Sequence, residues 1–277
     1  MRITAALLAA LVGAAPAAAA PLEQFNQRLF LPVTVNGQPT VALLDSAAEM
    51  TVLDDDFATG QLGLRLDGSA TAHGSGAEEM EARFADHVSV AVLGTQLDLR
   101  AVVIDLDEVS QRLLGRPVRM LLGRELFDRE RLRIDIAGGT IDRTSGAARG
   151  TRLAVADYRG NPVIAATIEG HETSQAVFDL GNGSGILIGR AFARRNGLDA
   201  PDRIVGQADG GGLGGTIRRD RIVLRDLTVG SRTFHNVPAE IDDTETAADV
   251  NLGTAVLGNF IITTDFAQHA LWLEPRE

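Results

Sequence analysis

Two aspartates stand in like surroundings in this chain of 277 residues. In ALLDSAAEMT (42–51) three apolar residues run into Asp45 and small residues follow; in AVFDLGNGSG (176–185) Asp179 ends a similar run. A carboxylate at the end of an apolar strand costs several kcal/mol to bury unless something satisfies it or uses it. Two such groups brought together could not both ionise readily, and a pair that shares a proton can act as acid and base at once.

The elements that would position them repeat. LPVTVNGQPTVALLDSAAEMTVLDDDFA (31–58) and ATIEGHETSQAVFDLGNGSGILIGRAFARRNGL (166–198) each read as an alternating strand, a turn at Asn36-Gly37 or Glu169-Gly170, and a second apolar strand ending in Asp. Small residues, another apolar patch and a helix-like segment near Asp54 or Gly189 come next. A second landmark follows in each half. MLLGRELFD (120–128) and AVLGNFIIT (255–263) place Leu122-Gly123 and Leu257-Gly258 behind a further apolar residue, 78 positions after Asp45 and 79 after Asp179. Paired hairpins are expected at 88–106 and 222–241, and strand pairs at 131–143 and 263–275. The small, polar TSGAARG (144–150) reads as a linker, which gives two mostly-β lobes at 21–148 and 149–277.

Composition narrows the partners. Lys and Arg total 26 against 37 Asp and Glu, and the net charge of −11 would repel a phosphate backbone or an anionic bilayer, so nucleic acid is not an expected partner. Aromatic residues are 4% of the chain, too few for a base-stacking surface. The first twenty residues, MRITAALLAALVGAAPAAAA, carry Arg2, a short apolar stretch and a run of alanines. That layout is a secretory signal with a small-residue cleavage site, so residues 1–20 are set aside and a periplasmic or secreted protein without stable membrane insertion is expected. With no cysteine, the exported chain must rest on its core alone.

Two β lobes, each with an apolar strand ending in Asp and a later apolar-apolar-Gly, resemble the retropepsin-like and pepsin-like aspartic peptidases, in particular bacterial exported members in which two lobes are fused. The resemblance covers nearly the whole chain after the signal. It implies an all-β fold with short helices, built as two pseudo-symmetric acid-protease lobes, with Asp45 and Asp179 as a catalytic dyad that activates a shared water. It also implies a peptide or unfolded-protein substrate, no metal and no cofactor. Because both lobes lie in one chain, a monomer is expected.

The chain departs from the family's Asp-Thr/Ser-Gly pattern. Ser46 keeps the hydroxyl that in relatives bonds across the axis, whereas Leu180 has none. Ala47 replaces a glycine, and a positive φ there would cost about 1 kcal/mol or more. Gly181-Asn182 continues the second loop, in which further glycines leave the backbone free. These departures keep a second reading open: a catalytically inactive retropepsin-like peptide-binding module.

The glycine-rich stretch at 210–215 lacks the Lys-Ser/Thr of a phosphate loop. By the resemblance, Gly211, Gly212 and Gly214 fall where a flap covers the cleft, with Gly74 in the corresponding loop of the first lobe; read from the residues alone, the stretch is equally a flexible surface loop. The five histidines show no metal-ligand spacing, and Asp54-Asp55-Asp56 fits a helix N-terminus.

Overall fold

The computed structural model describes residues 19–277. The expected signal segment falls almost wholly on residues outside that range. Strands hold 53% of the described residues and short helices 14%, which makes the fold all-β in character.

Each half builds an eight-stranded sheet with the same strand order. In the first half the order is Glu23–Phe25, Arg28–Val35, Gln38–Leu44, Met120–Leu122, Val52–Asp54, Thr95–Ile104, Glu79–Val92, Asp67–His73. In the second it is Ala156–Tyr158, Asn161–Ile168, His171–Phe178, Val250–Leu252, Ile186–Gly189, Arg232–Asp242, Ile217–Val229, Gly206–Gly210. In both halves the second strand also pairs with the seventh, which folds the sheet back on itself.

Local chemistry explains the repeat. Asn36-Gly37 and Glu169-Gly170 take positive φ in both members, at 47° and 82° in one half and 48° and 85° in the other. Two left-handed residues in succession give the turn whose twist suits a two-residue hairpin. Strand Arg28–Val35 alternates after its first turn of buried Leu29, Phe30 and Leu31, and strand Asn161–Ile168 repeats that burial pattern. Asp54 accepts from the Phe57 N–H at 3.1 Å and so caps the helical turn Asp56–Gln61, while Gly189 precedes helix Arg190–Arg195.

A third, six-stranded sheet joins the halves. Leu132–Asp135 and Phe260–Asp265 pair antiparallel at its centre, flanked by Thr140–Arg143 and Ala270–Pro275, with Ala20–Pro21 and Thr151–Ala154 at the edges. Phe127 stacks on Phe266 at 5.5 Å between centroids, and Phe266 meets Phe178 edge-on at 6.2 Å. Phe178 immediately precedes Asp179, so this aromatic group supports one of the two aspartates from below.

The second landmark moves. Leu257 closes the short helix Thr254–Leu257 and Gly258 is its C-cap, so neither lies in a strand. The strand that pairs with His171–Phe178 is Val250–Leu252, and the glycine that follows it is Gly253. The apolar-apolar-Gly element of the second half is therefore Asn251-Leu252-Gly253, with a polar residue in an apolar position.

Candidate active site

Strands Gln38–Leu44 and His171–Phe178 end immediately before Asp45 and Asp179, and the neighbouring strand holds each end. Asp45 donates its N–H to Leu122 O at 3.0 Å, and Asp179 donates its own to Leu252 O at 3.2 Å. Glycine is required after each of these strands because the aspartate loop passes so close. A Cβ at Gly123 would stand 2.9 Å from Ala48 O, and one at Gly253 would stand 2.6 Å from Asn182 O.

Each carboxylate is held by its own loop. Asp45 Oδ1 accepts from the N–H groups of Ala47 and Ala48, both at 2.9 Å. Asp179 Oδ1 accepts from Gly181 and Asn182, also at 2.9 Å. Ala47 has no positive φ, so the alanine makes its hydrogen bond without the backbone strain that a left-handed residue there would carry. Ser46 ties the loops together from one side: its hydroxyl donates to Phe178 O at 2.8 Å and accepts from the Leu180 N–H at 2.9 Å. Leu180 is fully buried in the main core and contributes packing where a hydroxyl would otherwise stand.

The two loops meet directly. A Cβ built on Gly181 would fall 2.3 Å from Asp45 Cγ. Burial, together with the charge of Asp179, pushes the Asp45 carboxyl up to about 7. Burial also raises Asp179, against the opposing pull of hydrogen bonds from Asn251, Asn182 and Gly181 and of the Arg28 charge.

A cleft of about 1020 Å³ opens above the pair, and Asp45, Ala47, Asp179, Gly181 and Asn182 line its floor. Gly74, Gly211 and Gly212 line its roof. The two roof loops bond to each other: Gly76 donates to Leu213 O at 2.8 Å and Glu78 to Gly214 O at 2.7 Å. Gly214 thus serves the join between the loops and does not face the cleft. Leu122 and Gly123 support the floor from below, and Leu257 and Gly258 stand apart from it.

Two residues that sequence reasoning passed over belong to the site. Asn251 donates from Nδ2 to Asp179 Oδ2 at 2.7 Å. Arg28 lies against the second loop, where a Cβ on Gly183 would stand 2.8 Å from its Nη1. Elsewhere, Asp54, Asp105 and Asp107 bring carboxylates together. Asp54 is engaged by Phe57 and Leu106 N–H groups and Asp105 by that of Asp107.

The chain matches the aspartyl protease family over residues 31–126 and again over 163–256, and it belongs to that family. EIAV protease complexed with the inhibitor HBY-793 is similar to it at 24% identity over 36% of this chain and 85% of that one, with a TM-score of 0.27. No curated protein matches it.

Proposed function

We propose that the protein is an aspartic endopeptidase in which Asp45 and Asp179 form the catalytic pair and an extended peptide lies in the cleft between the lobes. The observation that carries this reading is the convergence of two half-buried carboxyls on one cleft floor, each held by two N–H groups of an equivalent loop.

The chemistry follows from one proton shared by the pair. The ionised carboxylate takes a proton from water as the water oxygen adds to the peptide carbonyl carbon, and the protonated partner gives its proton to the carbonyl oxygen. The tetrahedral diol then collapses. One hydroxyl proton returns to the carboxylate that had become ionised, the C–N bond breaks, and the other carboxyl protonates the leaving nitrogen. One water is consumed and the pair regains its starting state.

The membership of the aspartyl protease family and the peptide-sized cleft support a peptide substrate. We also propose export to the periplasm or medium by the N-terminal signal; among the described residues no helix is long and apolar enough to cross a membrane. The test is cleavage of an unfolded protein between about pH 3 and 7, the range over which a raised carboxyl pair titrates, read by mass spectrometry. Asp45→Asn and Asp179→Asn should each lower the rate by about 10²–10⁴-fold, the usual value of a positioned proton donor or acceptor. Peptide binding without cleavage at any of these pH values would leave the binding module as the correct reading.

A further inference from the structure

We propose that Asn251 fixes the division of labour in the pair: its amide holds Asp179 as the ionised member and so leaves the proton on Asp45. This rests on the aspartic peptidase reading and assigns each carboxyl its part. Asp179 is then the base that receives the proton of water, and Asp45 is the acid that donates to the carbonyl oxygen.

The argument begins at a group whose direction is not in question. The backbone N–H of Ser184 can only donate, and it donates to Asn182 Oδ1 at 2.8 Å. That contact turns the Asn182 amide so that its Nδ2 points to Asn251 Oδ1, at 2.8 Å. An acceptor oxygen so occupied leaves Asn251 Nδ2 facing Asp179 Oδ2, at 2.7 Å. Each amide orientation is thus fixed by the one before it, starting from a main-chain donor.

Asp179 consequently accepts N–H donors on both oxygens, Gly181 and Asn182 on Oδ1 and Asn251 on Oδ2. Asp45 accepts Ala47 and Ala48 on Oδ1, and among the described residues no protein donor reaches its Oδ2. Donors that converge on a carboxylate favour its charged form, whereas a proton needs an oxygen that is not already receiving one. The proton therefore belongs on Asp45 Oδ2.

The surrounding charges act in the same direction. The charge of Arg28, from strand Arg28–Val35, favours the ionised form of Asp179, and the charges of Asp179 and Arg112 act on Arg28 in opposite directions. The Asp179 charge in turn holds Asp45 protonated. Strand Val250–Leu252 and the 181–184 loop bring only uncharged groups to Asp179.

The first half lacks this device. Strand Gln38–Leu44 pairs with Met120–Leu122 through Leu43 and Leu121, and the corresponding pair in the second half is Val177 and Asn251. Leu121 stands where Asn251 stands and has nothing to donate. The asymmetry of the pair is therefore written into one strand position, and Asn251 is a positioning residue that acts through Asp179.

The test is carboxyl-carbon NMR of the full mature chain labelled at aspartate, with the two signals assigned from Asp45→Asn and Asp179→Asn. As pH rises from about 2, Asp179 should lose its proton first and Asp45 second. Asn251→Leu, which copies the first half, should raise the first step by about one to two pH units, the worth of a hydrogen bond to a charged group, and leave the second nearly fixed. If the protein cleaves peptides, the acid limb of its pH profile should move by the same amount. First deprotonation at Asp45, or a first step unmoved by Asn251→Leu, overturns the proposal. Should Asn251→Leu fail to fold, the order of titration in the unsubstituted chain decides alone. The NMR result stands whether or not cleavage is found, so it is separate from the test of the peptidase reading.

Discussion

Gly181 is seated so closely against Asp45 that a methyl group at position 181 would stand 2.3 Å from the carboxyl carbon and 2.4 Å from Oδ2. Gly181 has no positive φ, so the need there is for space, not for backbone freedom. Gly181→Ala should push the loops apart, cost about 1–3 kcal/mol as overpacking does, and remove cleavage. Ala47→Gly should leave the site in place, since the alanine already makes its hydrogen bond in ordinary backbone. Thermal melts and cleavage rates of the two variants check the contrast.

The raised carboxyls give the protein a stability that depends on pH in an unusual direction. A carboxyl whose folded value lies above its unfolded value binds its proton more tightly when folded. Its favourable contribution is present at low pH and is lost as pH rises from about 4 through the folded value of about 7 for Asp45. Asp45→Asn removes that penalty while keeping an oxygen for Ala47 and Ala48. At pH 8 it should raise stability by a few kcal/mol, at about 1.4 kcal/mol per pKa unit, and at pH 4 the gain should disappear. Denaturant melts at the two pH values measure both.

Among the described residues, Ser46 alone hydrogen-bonds one aspartate loop to the other. Ser46→Ala would leave the Leu180 N–H and the Phe178 carbonyl without their partner in a fully buried position. A buried group left unsatisfied costs about 1–3 kcal/mol, so the midpoint of unfolding should fall accordingly. Cleavage per folded molecule should fall as well, because the same hydroxyl fixes both aspartate loops.

The roof must open for a peptide to enter. The contacts to break include Gly76 with Leu213, Glu78 with Gly214, the Arg112 guanidinium with Gly212 O at 2.7 Å, and the Arg219 guanidinium with Ser75 O at 3.3 Å. Gly214 has φ +87°, and a Cβ there would lie 2.3 Å from Glu78 O. Gly214→Val should therefore keep the roof from closing and raise KM more than it lowers kcat. Hydrogen exchange at Gly76 and Glu78 should be fast in the free protein and slow with a bound hydroxyl-containing transition-state analogue.

Much of this architecture was legible because it rests on short-range chemistry. Apolar alternation and the Asn36-Gly37 and Glu169-Gly170 turns gave the hairpins, and the resemblance paired Asp45 with Asp179. The second landmark lies away from Leu257-Gly258 for a physical reason. A pattern of two apolar residues before glycine cannot find Asn251-Leu252-Gly253, because the first position faces Asp179 and donates to it. Leu257-Gly258, a helix end, has the composition that the pattern asks for. Arg28 was equally invisible, since nothing local distinguishes an arginine at a strand start from a solvated one. Asn251 acquires its meaning from the parallel pairing of its strand with the one that leads into Asp179, and Arg28 acquires its own across the lobe junction.

The cleft walls predict the selectivity. Cleft-facing Val52 pairs with Val102 and Asp54 with Ile104; at the equivalent places in the second half Leu187 pairs with Glu240 and Gly189 with Asp242. Val102, Ile104 and Leu121 thus make the first wall apolar, whereas Glu240, Asp242 and Asn251 make the second polar. Arg219, 3% exposed, lies 4.0 Å from both Glu240 and Asp242 and leaves its Nε without a hydrogen-bond partner. An apolar side chain should fill the first wall, where burial contributes about 25 cal/mol per Å², and a polar one should fill the second, where buried groups left unpaired would penalise an apolar chain. A randomised peptide library should then show apolar residues on one side of the cut bond and hydrogen-bonding residues on the other. Glu240→Val with Asp242→Ile, which copies the first wall, should shift the polar side toward apolar residues, and a profile equally apolar on both sides in the unsubstituted protein would contradict the reading.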